Sequence, residues 1–283
     1  MLHKRIDINL DYERLGLEKS GSYQPTLECF IPHNARVPAA KRPAVVICPG
    51  GGYAFTSDRE GEPIALSFLN EGFVCFVLWY SVSNPDDGTV ARFPVSLLEA
   101  LTAIATVREN AEEWLIDPDK IFVCGFSAGG HLAASVATLW NRDFVRSALG
   151  YHCNEHKPDG AILCYPVISS GTWAHRGSFE CLLGDRVNDP EVLESVSLEK
   201  QVSSDTPPCF LVHTFTDDGV PVKNSIDFAS ALAETGVPFE LHVFPNGPHG
   251  FARADGLTAY EGSCVIPECA VWPSMAARWA RNL

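Results

Sequence analysis

Gly125-Phe126-Ser127-Ala128-Gly129 is the stretch of this chain that decides its fold. It follows Asp119-Lys-Ile-Phe-Val-Cys124, an apolar segment of strand length, and precedes Gly130-His-Leu-Ala-Ala-Ser-Val-Ala-Thr-Leu139, a small-residue segment typical of a packed helix. A serine at such a junction is held in a sparsely allowed backbone conformation. Glycines flank it because other side chains would collide with the neighbouring strand and helix. The pattern predicts a sharp turn that presents Ser127 at its tip, before a helix N-terminus.

The same five residues are also compatible with an ordinary glycine-rich turn that carries a surface serine. GxSxG is a weak pattern by itself and gains meaning only from its strand–turn–helix context. Two further features would make it the nucleophile turn of a serine hydrolase. One is an upstream loop of bare amides, and the other is a downstream acid followed by a histidine.

The rest of the chain alternates apolar segments of strand length with segments of helical periodicity, which is the pattern of the α/β class. Continuous apolar strands between helices indicate a mostly parallel central sheet with helices on both faces. The predicted strands are Leu27–Pro32, Ala44–Cys48, Phe73–Tyr80, Lys120–Cys124, Gly160–Tyr165, Cys209–Thr214 and Phe239–Phe244, and the predicted helices are Pro63–Asn70, Val95–Asn110, Val222–Glu234 and Ala270–Arg281.

The 283 residues contain no linker, low-complexity tract or repeat, so we expect a single domain over 1–283. The segment 166–207 breaks the alternation, because it is polar and has only short helical stretches. We expect a small insertion above the C-terminal edge of the sheet, where such folds bind ligands. It could form part of a pocket, a cap over it, or a plain surface excursion.

Composition limits the classes of partner and the compartment. The net charge of −14 argues against nucleic acid and anionic membranes as partners. The longest apolar run, Phe73–Tyr80, is too short to span a bilayer. The charged N-terminal segment has no apolar signal core, so a cytoplasmic location is expected.

Ten cysteines are present, and five of them fall inside apolar runs that we predict as central strands, where cysteine behaves as a small buried hydrophobe. No cysteine or histidine spacing matches a zinc site, so we expect reduced structural thiols, no metal and no cofactor. The five strand cysteines are Cys48, Cys75, Cys124, Cys164 and Cys209.

A glycine loop, Cys48-Pro-Gly-Gly-Gly-Tyr53, closes a predicted strand upstream of the serine. Bare backbone amides there could stabilise the negative oxygen of a tetrahedral intermediate. The candidate donors are Gly51 and Gly52, together with the amide of Ala128 behind the serine. The alternative is a phosphate-binding loop, but neither GxGxxG nor GxxxxGK[ST] is present.

An acid and a histidine follow downstream, in the order that the α/β-hydrolase fold requires. Asp217 and Asp218 both come directly after a predicted strand, and the following Val-Pro favours Asp217; either could instead cap a turn. His249 lies 32 residues after Asp217, in a Gly/Pro-rich loop past the next strand. The remaining candidate histidines are expected in packing or on a strand face, namely His131, His213 and His242.

These segments together resemble the α/β-hydrolase serine esterases related to bacterial carbohydrate acetyl esterases and acetyl-xylan esterases, over nearly the whole chain. The resemblance implies Ser127 as nucleophile, Asp217 as acid and His249 as base, acting on short acyl esters, often acetyl groups on sugars. The segments that carry it are Ile47-Cys-Pro-Gly-Gly-Gly-Tyr53, Ser57-Asp-Arg-Glu60, Pro63-Ile-Ala65, Gly125-Phe-Ser-Ala-Gly-Gly-His131, Tyr165-Pro-Val-Ile168, Asp217 with Val220-Pro221 and Asn224-Ser225, His249-Gly250, and Trp272-Pro273 with Arg278-Trp279. Hormone-sensitive-lipase relatives carry histidine where this chain has Pro49.

The expected reaction is two-step acyl transfer on a small-molecule ester, with an acetylated sugar implied by the resemblance. Four side chains near the predicted mouth, Tyr53, Arg59, Glu60 and Tyr165, could bind sugar hydroxyls. For Arg59 and Glu60 the alternative is a surface ion pair. Two rival functions are an oligopeptidase-like hydrolase and a catalytically silent binding module on the same fold. The acyl-chain length, the natural substrate and the oligomeric state stay open.

Overall fold

The computed structural model describes residues 1–33, 41–84, 86, 88–150, 154–260 and 263–283, so Cys153 lies outside the described residues. Strands alternate with helices along most of this range. The strands are Leu2–Asp7 (β1), Lys19–Ser20 (β2), Thr26–Ile31 (β3), Arg42–Cys48 (β4), Val74–Trp79 (β5), Val90–Ala91 (β6), Ile116–Phe126 (β7), Gly160–Cys164 (β8), Cys209–Thr214 (β9) and Phe239–Phe244 (β10). The α-helices are Glu62–Asn70 (α1), Val95–Glu109 (α2), Ser127–Leu139 (α3), Asp143–Leu149 (α4), Arg176–Leu183 (α5), Pro190–Ser195 (α6), Lys223–Thr235 (α7) and Trp272–Asn282 (α8).

The central sheet has eight strands in the order β1-β3-β5-β4-β7-β8-β9-β10. Five of its neighbouring pairs are parallel, and the two pairs at the β1–β3–β5 end are antiparallel. This confirms the predicted α/β class with a mostly parallel sheet. The short strands β2 and β6 form a separate antiparallel pair. No helix in the described ranges is long and apolar enough to cross a bilayer.

Both faces of the sheet are buried against helices. Alternate residues of each central strand point to opposite faces, so each strand contributes to two cores. In β4, Val46 packs into the core under α2 and α3, whereas Val45 and Ile47 pack into the core on the other face. Phe68 of α1 and Trp272 of α8 lie in that second core. Coverage on both sides explains why the central strands read as continuous apolar runs.

Four elements of the structure were missed by the sequence patterns, namely the edge strand β1, the two-residue strands β2 and β6, and the helix α4. β1 pairs antiparallel with β3 at the edge of the sheet, and most of its residues are partly or fully exposed. An exposed edge strand needs no apolar alternation, so it gives no periodic signal. The seven-residue helix α4 is short and buries only Val145. The polar segment 166–207 contains α5, α6 and two 3₁₀ turns between β8 and β9, which agrees with the short helical stretches expected there.

The register of the sheet assembles the candidate residues at one edge. Cys48 pairs with Gly125, so the glycine loop after β4 lies beside the turn after β7. Thr214, the last residue of β9, pairs with Phe244, the last residue of β10. The loops that carry Asp217 and His249 therefore begin side by side at the same C-terminal edge as Ser127.

Candidate active site

Ser127 occupies the tip of the turn between β7 and α3, with a φ of 52°. This left-handed conformation is rare for a residue with a side chain and stores strain. The two flanking glycines permit the turn. A Cβ on Gly125 would lie 2.0 Å from the Gly129 carbonyl oxygen, and one on Gly129 would lie 2.2 Å from the Cys48 oxygen. The collision predicted from the sequence is thus confirmed at both positions.

Ser127, His249 and Asp217 form one chain of hydrogen bonds. The Ser127 Oγ lies 2.8 Å from His249 Nε2, and His249 Nδ1 lies 2.8 Å from Asp217 Oδ2. The carboxylate holds the proton on Nδ1, which leaves Nε2 free to accept from the serine hydroxyl. The geometry suits removal of the serine proton.

The Asp217 side chain is fully buried, whereas Asp218 contacts the histidine only through the backbone amide of His249, at 3.2 Å from Oδ1. Burial by itself would raise the pKa of Asp217. Hydrogen bonds from His213 and His249 outweigh burial and hold the pKa well below its usual range. The amides of Gly219 and Val220 also donate to Oδ1. Of the two adjacent acids, the geometry therefore selects Asp217.

His213 also contacts Asp217, which the sequence did not indicate. Its Nε2 lies 2.9 Å from the Val220 oxygen and 3.3 Å from Asp217 Oδ2, and its Nδ1 lies 2.8 Å from Ser225 Oγ. The Val220 carbonyl can only accept, so Nε2 carries the proton. His213 is the satisfied core histidine that was predicted, and it also donates toward the acid.

The glycine loop after β4 presents unpaired amides beside the serine. Gly51 and Gly52 have φ values of 130° and 66°, which other residues rarely adopt. The Gly51 carbonyl accepts from Ala54 and Phe55. Neither glycine amide has an acceptor among the described residues, and Ala128 lies in the first turn of α3, where amides lack helical partners. Gly51 and Gly52 line the pocket at Ser127, and Ala128 follows Ser127 directly in the chain.

Glu60 connects this glycine loop to other parts of the site. Its Oε2 accepts from the Gly50 amide at 2.8 Å, and its Oε1 accepts from the Tyr165 hydroxyl at 2.8 Å. The Tyr165 oxygen in turn accepts from the amide of Ala252, three residues after His249. Burial raises the pKa of Glu60, against the lowering effect of these hydrogen bonds. One buried carboxylate thus joins the loop of the amides to the loop of the histidine.

Two of the four predicted sugar-binding side chains are turned inward, which corrects the expectation for them. Tyr165 is completely buried and has a φ of 37°, and its hydroxyl donates to Glu60. Tyr53 is 2% exposed, and its hydroxyl lies 2.9 Å from Nδ1 of His131. Neither tyrosine lines the pocket at Ser127. His131 is buried, its Nε2 donates to the Val196 carbonyl, and its Nδ1 accepts from the Tyr53 hydroxyl, in agreement with its predicted packing role.

Arg59 and Glu60 do border the pocket, but each is already engaged. Arg59 donates from Nε to the Thr258 carbonyl and from a terminal nitrogen to the Gly250 carbonyl. Glu60 is only 4% exposed, so the alternative of a surface ion pair does not describe the two residues. Both fix the walls of the site.

The pocket above Ser127 has a volume of about 380 Å³. A residue that the sequence analysis missed, His175, lies in its wall and comes from the 166–207 segment. The 166–207 segment has no periodic pattern that distinguishes its histidine. The available signal was the predicted position of the segment above the sheet edge, which placed its residues near the pocket. The lining residues are Gly51, Gly52, Phe55, Ser57, Arg59, Glu60, Ser127, His175, His249 and Gly250.

Comparisons with known proteins agree with this fold. The BD-FAE family matches residues 27–232. Endo-1,4-beta-xylanase B of Butyrivibrio fibrisolvens is 39% identical over 84% of this chain and 36% of its own length. Acetylxylan esterase of Xylanibacter ruminicola is 33% identical over 84% of this chain and 45% of its own length. The chain thus spans less than half the length of these two relatives.

A solved structure matches over almost the full length of both chains. It is the acetyl ester-xyloside bifunctional hydrolase of Caldicellulosiruptor lactoaceticus, 36% identical, with a TM-score of 0.82 over 99% of this chain and 96% of that chain. The residues that the BD-FAE family matches, 27–232, include the glycine loop, the turn at Ser127 and Asp217. The chain belongs to the BD-FAE family and has the α/β-hydrolase fold of carboxylester hydrolases.

Proposed function

We propose that this protein is a serine carboxylesterase that hydrolyses short acyl esters, above all acetyl esters of carbohydrates. One observation carries the proposal. The Ser127 hydroxyl, the His249 ring and the Asp217 carboxylate are in hydrogen-bond contact at the base of an open pocket. That arrangement is required for nucleophilic acyl transfer and has no evident use in a protein that only binds.

The reaction proceeds through an acyl-enzyme. His249 removes the proton of Ser127 as the serine oxygen attacks the ester carbonyl, and the amides of Gly51, Gly52 and Ala128 hold the resulting oxyanion. The protonated His249 then gives its proton to the departing alcohol. A water molecule, activated by the same histidine, releases the acid in the second step.

The substrate class rests on the relatives and on the pocket. Two of the proteins to which the chain is similar are named for acetyl ester hydrolysis. The pocket is small, and Phe55, three glycines, two serines and the side chains of Arg59, Glu60, His175 and His249 line it. A short acyl group joined to a hydroxylated alcohol fits such a pocket better than a long aliphatic chain. The cytoplasmic location and the absence of nucleic-acid and membrane partners stay predictions from the sequence.

The first experiment measures p-nitrophenol release from acetyl, butyryl and octanoyl esters by the wild type and by Ser127→Ala. We expect activity that falls steeply with acyl length and a loss of about 10⁴-fold or more in kcat for the variant. The rival oligopeptidase is tested with a short peptide anilide in the same assay. Ester activity that survives the substitution, or no activity on any ester, contradicts the proposal, and anilide cleavage above ester cleavage favours the peptidase.

A further inference from the structure

His175 is a pocket residue that the proposed mechanism does not use. It lies just before α5, in the 166–207 segment, and lines the same pocket as Ser127 and His249. Its ring caps α5, because Nδ1 lies 3.3 Å from the amide of Ser178 and 2.8 Å from the Ser178 hydroxyl oxygen. The ring position is therefore fixed by the fold.

The cap also fixes which nitrogen of His175 carries the proton. A backbone amide can only donate, so Nδ1 must accept from Ser178. In the neutral ring the proton is then on Nε2. Burial lowers the pKa of His175, and the nearby His249 lowers it further, which keeps the ring neutral at neutral pH. His175 thus presents an N–H donor and no acceptor beyond its cap.

That donor is unused by the protein. No partner for Nε2 exists among the residues that the structure describes, and this nitrogen is not sealed away from solvent. The ring lies near the glycine loop, since a Cβ on Gly52 would be 3.9 Å from the hydroxyl of Ser178, the capping partner. His175 lines the same pocket as Gly51 and Gly52, so its free N–H is available to a ligand beside the predicted oxyanion donors.

The chemistry of an acetyl ester identifies what such a donor can bind. The acyl methyl group offers no acceptor, and the carbonyl oxygen is already served by the glycine and Ala128 amides. The remaining acceptors belong to the alcohol half, and a sugar carries hydroxyl and ring oxygens close to the ester bond. We infer that His175 is a specificity-determining residue whose Nε2–H binds an oxygen of the alcohol half and so favours hydroxylated alcohols. This inference rests on the proposed esterase function.

The test compares two substitutions on two acetyl esters. His175→Asn places an amide near the Nδ1 position, where it still caps α5, but removes the donor at Nε2; asparagine is a good N-cap, so folding is preserved. His175→Gln extends an N–H to about the Nε2 position. The substrates are a monoacetylated methyl xyloside and phenyl acetate, whose alcohol half has no further oxygen.

We expect His175→Asn to lower kcat/KM on the acetylated xyloside by about tenfold, which corresponds to one lost hydrogen bond. On phenyl acetate the same variant should change kcat/KM by less than about threefold, because no contact is lost. His175→Gln should recover most of the activity on the xyloside. The exposed His33, substituted by asparagine, is the matched control and should alter neither rate.

Two results would overturn the role of His175 while leaving the esterase function intact. One is an equal loss on both esters, which would indicate a structural role or a contact with the acyl half. The other is no loss on either ester. Failure of the wild type on phenyl acetate and on the xyloside, or full activity of Ser127→Ala, would instead remove the proposed function itself, and the inference with it.

Discussion

The Asp217 carboxylate is held from both sides. Its Oδ1 accepts from two backbone amides of its own loop, at 2.9 and 2.7 Å, and its Oδ2 faces the rings of His249 and His213. The amide bonds lock the side-chain rotamer, so the second oxygen points at the base. This explains why one of two adjacent acids is suited to orient His249 although both follow the same strand.

Asp217→Asn should therefore lower kcat by about 10³- to 10⁴-fold, because an amide can leave His249 in the wrong tautomer. Asp218→Asn is the matched control and should lower kcat by less than about tenfold. It removes the negative charge of Asp218, whose contact with His249 is to the backbone amide alone. The measurement is kcat on p-nitrophenyl acetate, with thermal unfolding to show that both variants fold. Comparable losses in the two variants would contradict the assignment of the acid.

For Glu60, burial and hydrogen bonding act on the pKa in opposite directions. Its carboxylate is buried, which raises its pKa above the ordinary value of 4.5, yet both oxygens accept hydrogen bonds at the site. The native state thus binds the proton of Glu60 more tightly than the unfolded state does. The stabilisation from this group is fully present below pH 4.5 and is lost as the pH rises through the folded-state pKa.

Glu60→Gln removes this titration. We expect the free energy of unfolding of the wild type, relative to that of the variant, to decrease as the pH is raised from about 4 to about 8. The decrease should be roughly 1.4 kcal/mol for each pKa unit by which the folded-state pKa of Glu60 exceeds its unfolded-state pKa. Urea unfolding at several pH values measures it. The variant should also lose about tenfold in kcat, because glutamine keeps only one accepting oxygen and its NH₂ group cannot accept the second of the hydrogen bonds from Gly50 and Tyr165. A pH-independent difference in stability would contradict the raised pKa.

At the scale of elements, the serine turn depends on close backbone contacts between β4, β7 and α3. Gly129 has an ordinary negative φ, so conformational freedom does not explain it. The contact does, because a Cβ there would lie 2.2 Å from the Cys48 oxygen and 2.3 Å from the Pro49 oxygen. Neither atom belongs to a flexible side chain that could move away.

Gly129→Ala should consequently destabilise the protein by about 3 kcal/mol or more, since the backbone must shift. Gly236→Ala is a suitable comparison. Gly236 ends α7 with a φ of 74°, and a Cβ there would touch nothing within 4 Å. Its cost should be about 1 kcal/mol, from the left-handed conformation alone. Chemical unfolding of both variants measures the difference, and equal costs would show that the contact can relax.

The sequence predicted the elements correctly where an apolar strand is followed directly by a glycine-rich loop. The central strands and the positions of Ser127, Asp217 and His249 at their ends follow from such patterns. Side-chain direction after a strand does not, which is why Tyr53 and Tyr165 were expected in the pocket. His175 had no pattern around it, because its position is set by tertiary packing of the 166–207 segment. Local chemistry predicts the turns, whereas pocket walls depend on contacts between distant segments.

At the scale of the whole molecule, the two termini contribute to the fold in different ways. β1 extends the sheet on its antiparallel side, far along the strand order from β9 and β10. α8 reaches the site, because Trp272 donates from Nε1 to the carbonyl of Ala252 at 2.8 Å. Ala252 follows the His249 loop and also contacts Tyr165. The packing of the last helix thus supports the loop that carries His249.

Burial in the sheet also lowers the reactivity of the strand cysteines. The nine cysteines in the described ranges are free, and the five strand cysteines are buried. Burial raises the pKa of Cys48, Cys75 and Cys164 well above the ordinary value of 9.0. Since the thiolate is the reactive form, these thiols should be inert in the folded protein.

We expect iodoacetamide at about pH 8 to leave the five strand cysteines unmodified in the native protein and to alkylate all of them in urea, as read by peptide mass spectrometry. Cys181 is only half-buried and provides the internal comparison, because it should react first among the described thiols. A reductant should leave the melting temperature unchanged, since no disulfide closes a loop within the described ranges. A lower melting temperature with reductant, or strand thiols that react at the rate of Cys181, would mean that the sheet opens or is cross-linked in solution.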